Sequence, residues 1–144
     1  MNVKEQLERV IWNHQQIVAK LIQLDRLMEL RRTMDKFVFN PKDPAEAEEF
    51  KIVGTTEALD SVQELIAMLH VGIMELVNKY WEVKDLIGNL EDPRQQLVME
   101  LRYLCGKEWG QIVFIMGCSF DEVKQLHDKA LVQLEEISKK MKKQ

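Results

Sequence analysis

The chain has 144 residues, 46% of them hydrophobic and 31% charged, with a formal net charge of −4. These are the proportions of a soluble protein rich in helix formers and poor in Gly and Pro, able to bury one real core or two small ones. No apolar run is long enough to span a membrane, no signal peptide is expected, and the acid excess argues mildly against a nucleic-acid binder.

Residues 3–34 read as one long helix. Val3, Leu7, Val10, Ile17, Leu21, Leu24 and Met28 recur at alternating steps of three and four, with His14 in register. Ile11, Val18, Ile22 and Leu27 widen the stripe beyond a narrow seam. His14 has no second metal-type residue one turn away, so a histidine tolerated at the core edge is the expectation. Helix formers give way at Phe37-Val38-Phe39-Asn40-Pro41, and a connector over about 38–54 follows. Within it, Asp43-Pro44-Ala45-Glu46 has the cap, the N1 proline and the N3 acid of a short helix near Pro44–Phe50. Phe37, Phe39 and Phe50 are expected to tuck that connector against the hairpin end.

A second long helix follows over about 55–87. Leu59, Val62, Ile66, Leu69, Ile73, Leu76, Tyr80, Val83 and Ile87 keep the three-four alternation, and Gly88 stands at a natural C-terminal cap. Two helices of similar length joined by a short connector favour an antiparallel, coiled-coil-like hairpin. An intermolecular bundle, with the same stripe as a dimer interface instead, is the alternative. Gly72 costs about 1 kcal/mol relative to Ala in mid-helix, which suggests a close helix approach there. The expected domains are a hairpin over 1–90 and a second, helical domain over 91–144.

That second domain starts at Asp92-Pro93-Arg94-Gln95, again cap, proline and amide, and carries Leu97, Val98, Leu101 and Leu104 up to Gly106. Between Trp109 and Leu134, two apolar stripes flank Gly117-Cys118-Ser119. Gly117 suits the positive φ of a sharp helix end. Ser119 then caps the next helix, with Glu122 completing a capping box. Apolar residues stand five and one before Gly117 (Ile112, Met116) and one, six and nine after it (Cys118, Val123, Leu126). This is the spacing of a helix-turn-helix, whose second helix enters the DNA major groove. An ordinary helical hairpin is the alternative.

Charge is unevenly shared. From Glu91 onward there are nine basic and nine acidic side chains, so the excess acid (eleven basic against fifteen) lies in residues 1–90. The closing run Lys139, Lys140, Lys142 and Lys143 reads as a solvated helix end favoured by the dipole. Cys105 and Cys118 lie in apolar stripes and are expected as small buried hydrophobes of a reducing cytoplasm. No phosphate loop, nucleophile set or paired histidines stand out. Neither an enzyme, nor a metal site, nor a cofactor is expected. His127 falls at the rim of the core stripe, where a structural hydrogen bond or a phosphate contact is expected, and Trp109 is expected to pack across the entrance of the motif.

Leu90-Glu91-Asp92-Pro93, Leu97 to Tyr103, Gly106-Lys107 with Trp109, and then Ile112, Met116 to Ser119, Val123, Leu126-His127 and Ala130-Leu131 together carry a resemblance. They resemble the C-terminal half of small phage and prophage transcriptional regulators of the ArpU/RinA-like type. That half is similar to the promoter-reading domain of bacterial sigma factors. The likeness covers about residues 86–135 and is only architectural before them. It implies a sigma-factor-like helix-turn-helix binding double-stranded DNA in a bacterial cytoplasm. For such a regulator the hairpin is expected to serve either for dimerisation, as a homodimer, or for contact with RNA polymerase. The chain departs from the family at Glu108, where a Ser or Thr cap is usual, and at Val113, where a small alanine is usual. It departs again at Asp121 and Glu122, where donors are common.

On the helix starting at Ser119, Phe120, Lys124, Gln125 and Asp128 share an outward face by helical period, with Lys129 beside them. Gln125 suits adenine, and Lys124 suits guanine or a phosphate. Lys107 and Gln111, at the start of the preceding helix, are placed to hold the backbone. The alternative function is a protein-interaction module that docks on RNA polymerase or another transcription factor without binding DNA.

Overall fold

Helix starts follow the caps that the sequence offers. In the computed structural model, which describes residues 2–39 and 55–143, Asn2 Oδ1 accepts from the Glu5 N–H at 2.8 Å and opens α1 (Val3–Phe39). The second long helix is α2 (Thr55–Gly88). Asp92 Oδ1 then accepts from the Arg94 N–H at 2.9 Å, with Pro93 in the first turn, and opens α3 (Pro93–Met99). This helix runs on into a π turn at Glu100–Leu104. Two helices close the chain, α4 (Trp109–Met116) and α5 (Phe120–Lys142). There is no strand among the described residues, and the fold is all-α. No helix of the described residues is long and apolar enough to cross a membrane. The connector beyond Phe39, including the turns expected near Pro44–Phe50, lies outside the described residues, as do the side chains of Phe37, Phe39 and Phe50.

α1 and α2 fold back on each other as an antiparallel hairpin. At its open end Val3, Leu7 and Val10 pack with Val83, Leu86 and Ile87; further along, the Lys20 chain lies over Gly72. The chain nevertheless does not cluster into a hairpin and a separate C-terminal domain. One compact unit comprises Met1–Gln15 with Leu76–Gln144, and the other comprises Gln16–Glu75. In the first unit, the hairpin residues just named share one core with Leu90, Met99, Tyr103, Ala130 and Leu134. The boundary expected near residue 90 therefore falls inside a packed core, because the apolar face of α5 extends past Leu134 and takes the hairpin base as its partner. The Val3 N–H, one of the orphan donors of a helix start, is satisfied by Glu135 Oε1 at 3.2 Å.

Several positions differ from the heptad reading. Asn13 is buried where His14 was expected, and His14 and Leu21 are exposed. A straight helix turns every 3.6 residues, so a seam drawn at 3.5 drifts by about 20° per heptad. The inward line of α1 accordingly passes through Val3, Leu7, Val10, Asn13, Ile17, Lys20 and Leu24. Gly72 does not mark a close backbone approach: a Cβ added there would meet Lys20 Cε at 3.5 Å, an ordinary contact with a flexible chain. Cys105 is exposed and Cys118 half-buried, because Cys105 follows the π turn and has left the apolar face of α3. Leu97 is exposed on α3, while Gln95 and Val98 turn inward. The last residues of that segment close with the Cys105 N–H on the Glu100 carbonyl at 2.9 Å and with Gly106 at φ 68°.

The packing predicts a graded response to truncation. Ile87→Ala, which hollows the core shared by α1, α2, α3 and α5, should lower stability by about 2–5 kcal/mol in denaturant unfolding. Gly72→Ala should instead raise it by up to about 1 kcal/mol, since helix propensity improves and the Lys20 chain can accommodate the methyl group. A loss of stability in that variant would show that the two helices approach more closely than 3.5 Å permits.

Candidate nucleic-acid interface

Ile112 and Val123, fully buried, meet Val98 of α3, and this small core holds α4 and α5 across their turn. Leu101, Trp109, Val113, Met116, Cys118 and Leu126 pack around it, as the spacing about Gly117 requires. Gly117 takes φ 65°, ψ 27°, and its N–H bonds the Val113 carbonyl at 3.0 Å. A side chain at this φ would clash with its own backbone, which is why glycine ends the helix here. Ser119 is the N-cap of α5, its Oγ accepting from the Glu122 N–H at 3.2 Å. Among the described residues no return bond from the Glu122 carboxylate to the Ser119 N–H completes the box, so half of the expected reciprocal cap is present.

The α4 start is capped from an unexpected direction. Glu108 occupies the N-cap position, and its backbone N–H donates to Gln111 Oε1 at 3.0 Å. Gln111 therefore spends its carbonyl on the helix, while its amide NH₂ keeps two donors for solvent or phosphate. Lys107, half-buried, gives its own carbonyl to Arg102 Nη1 at 3.0 Å, and its N–H bonds the Leu101 carbonyl. The loop carrying Lys107 is thus tied at both ends of the residue.

The predicted reading residues come together on one surface. Ser119, Phe120, Lys124, Gln125, Asp128 and Lys129 are all exposed on the first three turns of α5. Asp121 and Glu122 are exposed in the first turn, where they suit the positive end of the helix dipole. Asp128 is less free than the sequence indicated. Its Oδ1 lies 3.2 Å from His127 Nδ1, although its side chain remains 62% exposed. Two features went unread in the sequence. Arg94 Nη2 donates to Cys118 Sγ at 3.0 Å and so places a guanidinium beside the turn, across 24 positions of chain. Phe114 is 87% exposed and, with Ile115, Gly110, Gln111 and Lys107, lines a shallow depression on α4. The signal for it was present: α4 is apolar nearly all round, yet an eight-residue helix buries one side only.

Behind this surface lies a polar network. Tyr103 Oη and His127 Nε2 are 2.7 Å apart in the interior. Trp109 meets the imidazole edge-on at 4.9 Å, and the Arg102 guanidinium lies 4.9 Å from the indole centre. Burial is the main cause that holds His127 below its usual pKa of 6.5, with the Asp128 hydrogen bond opposing it. Burial likewise pushes Tyr103 up to about 12, against the nearby Arg102 charge. A neutral imidazole with the proton on Nδ1 satisfies both neighbours: Nδ1–H donates to Asp128 and Nε2 accepts from the Tyr103 hydroxyl. The sequence expectation of a structural histidine is met, and Trp109 packs on it at the entrance of the motif. Among the described residues no group of three His, Cys, Asp or Glu is placed to hold a metal ion.

Comparisons of the chain with known protein families, with characterised proteins and with solved structures find no match.

The histidine makes a pH prediction. Folding lowers the His127 pKa, so the unfolded chain takes the proton more readily below pH 6.5. The stability tied to neutral His127 is complete above pH 6.5 and is lost as pH falls through the lower, folded value. Thermal melts of the parent should therefore decline more steeply on acidification below pH 6.5 than those of His127→Gln. Parallel curves for the two proteins would show that His127 does not titrate on unfolding.

Proposed function

We propose that α3, α4 and α5 act as a sigma-factor-like helix-turn-helix that binds double-stranded DNA. The N-terminal part of α5 reads the major groove, and the protein serves as a transcription regulator of phage or prophage genes in the cytoplasm of a bacterial host. One observation supports this most: the left-handed turn at Gly117 joins two helices that share the Val98–Ile112–Val123 core. That packing leaves Phe120, Lys124 and Gln125 exposed at the start of the second helix. Lys107, the Gln111 amide and Arg94 are the groups that would meet phosphates on either side of that helix. Lys129, one turn beyond Gln125 on α5, is a third cation for the backbone.

A second reading keeps a specific observation behind it. Asp121, Glu122 and Asp128 stand on the same turns as Lys124 and Lys129, so this surface lacks the cation excess that phosphate demands. With the bare phenyl ring of Phe114 nearby on α4, the domain would instead dock on RNA polymerase or another transcription factor. DNA binding and docking differ in their response to salt.

Binding to duplex DNA, followed by anisotropy over a salt series, separates the roles. Gln125→Ala should cost about 1–3 kcal/mol on the preferred sequence and relax the preference at one base pair. Lys107→Ala should weaken all sequences alike and reduce the log–log salt slope by about one unit. Asp121→Asn should strengthen binding, because it removes a charge facing phosphate while the Ser119–Glu122 cap stays intact. Equal affinity of the parent and all three variants would favour docking on a protein.

A further inference from the structure

The helix placed to read the groove starts with a side chain that has no hydrogen-bonding group. Phe120 is the first residue of α5, directly after the Ser119 cap, and is 52% exposed. It joins neither hydrophobic core; the α5 contribution to those begins at Val123. The corner itself closes without it. Gly117 makes the left-handed turn, Ser119 Oγ takes the Glu122 N–H, and Cys118 packs against the small core. From Ser119 to Lys129, every other exposed side chain is polar or charged. The fold thus assigns the Phe120 ring no partner of its own.

Place and chemistry limit what this ring can recognise. Helix side chains lean toward the N-terminus, so the ring stands ahead of the first turn, at the end a reading helix presents to base edges. A phenyl ring neither donates nor accepts the bonds that distinguish most base edges. The major groove offers one apolar group, the 5-methyl of thymine. Set against a donor or acceptor instead, the ring would strip it of water and return no bond. On the premise that this surface binds DNA, we infer that Phe120 packs on the 5-methyl group of one thymine and selects a T·A pair there. The surface then reads by two means, Gln125 through hydrogen bonds and Phe120 through apolar contact. The apolar contact releases no counterions, unlike the phosphate contacts of Lys107 and Arg94, so its discrimination should hold across a salt series.

Selection of duplexes from a random pool by the full chain, followed by replacement of each thymine in turn with deoxyuridine, tests this. The replacement removes one methyl group and leaves the hydrogen-bonding edge unchanged. At one thymine of the selected sequence it should weaken binding about fourfold, the value of one small apolar group taken out of water. Phe120→Ala and Phe120→Gln should each bind the thymine and deoxyuridine duplexes alike, with the parental helical circular dichroism, since the ring is exposed. Should one of them lose helix, the other decides. Phe114→Ala, which removes the exposed ring on α4, should keep the fourfold difference. A selected sequence with no methyl-sensitive thymine would overturn the inference and leave DNA binding in place. So would a difference that survives both Phe120 variants, one that Phe114→Ala abolishes, or one that fades with added salt. Failure of the parent to bind any duplex would overturn the inference together with the DNA-binding reading, and leave the ring to a protein partner.

Discussion

The core that α5 shares with the base of the hairpin is the constraint on which the C-terminal helices depend. Ala130 and Leu134 of α5 and Met99 of α3 are fully buried with Leu7 and Ile87 of the long helices. Each large aliphatic side chain of this kind contributes about 1.5–3 kcal/mol when removed from water. The same helix, two turns earlier, supplies Val123 to the smaller core with Ile112 and Val98. A single rigid rod thus belongs to two cores, and the exposed first turns of α5 are held by everything that packs behind them. The bond from the Val3 N–H to Glu135 ties the start of α1 to the same rod.

Between the two cores the interior becomes polar. A buried hydroxyl or imidazole without a partner costs about 1–3 kcal/mol, and here each supplies what the other lacks. Tyr103 reaches His127 because the π turn of α3 swings its ring inward. Asp128 then takes the remaining imidazole proton, and Arg102 covers Trp109 from outside. This arrangement draws one acid of the outward face partly into structural service.

The start of α5 has to meet two electrostatic demands. Orphan N–H groups and the dipole favour Asp121 and Glu122, each by about 0.3–1 kcal/mol at an exposed site. A phosphate placed at that same end would meet the two carboxylates first. Stability of the helix start and attraction for an anion are therefore opposed in this sequence, and in the proposed complex Lys124, Lys107 and Arg94 would be the side chains to offset the repulsion.

Local features were legible from residues alone. The caps at Asp92 and Ser119, the glycine of positive φ at 117 and the spacing of Ile112, Val123 and Leu126 depend on neighbours a few positions away, so the sequence determines them. The all-α class and the two long helices follow for the same reason. Other features depend on contacts across the chain. The use of the hairpin base as a wall for α5, the guanidinium of Arg94 beside Cys118 and the engagement of Asp128 with His127 arise from tertiary packing. So does the choice between Asn13 and His14, because a one-residue step rotates a side chain by about 100° and only the neighbouring helix selects the face. Sequence periodicity shows that a stripe is apolar; which part of it stays in water is decided by how many helices are present to cover it.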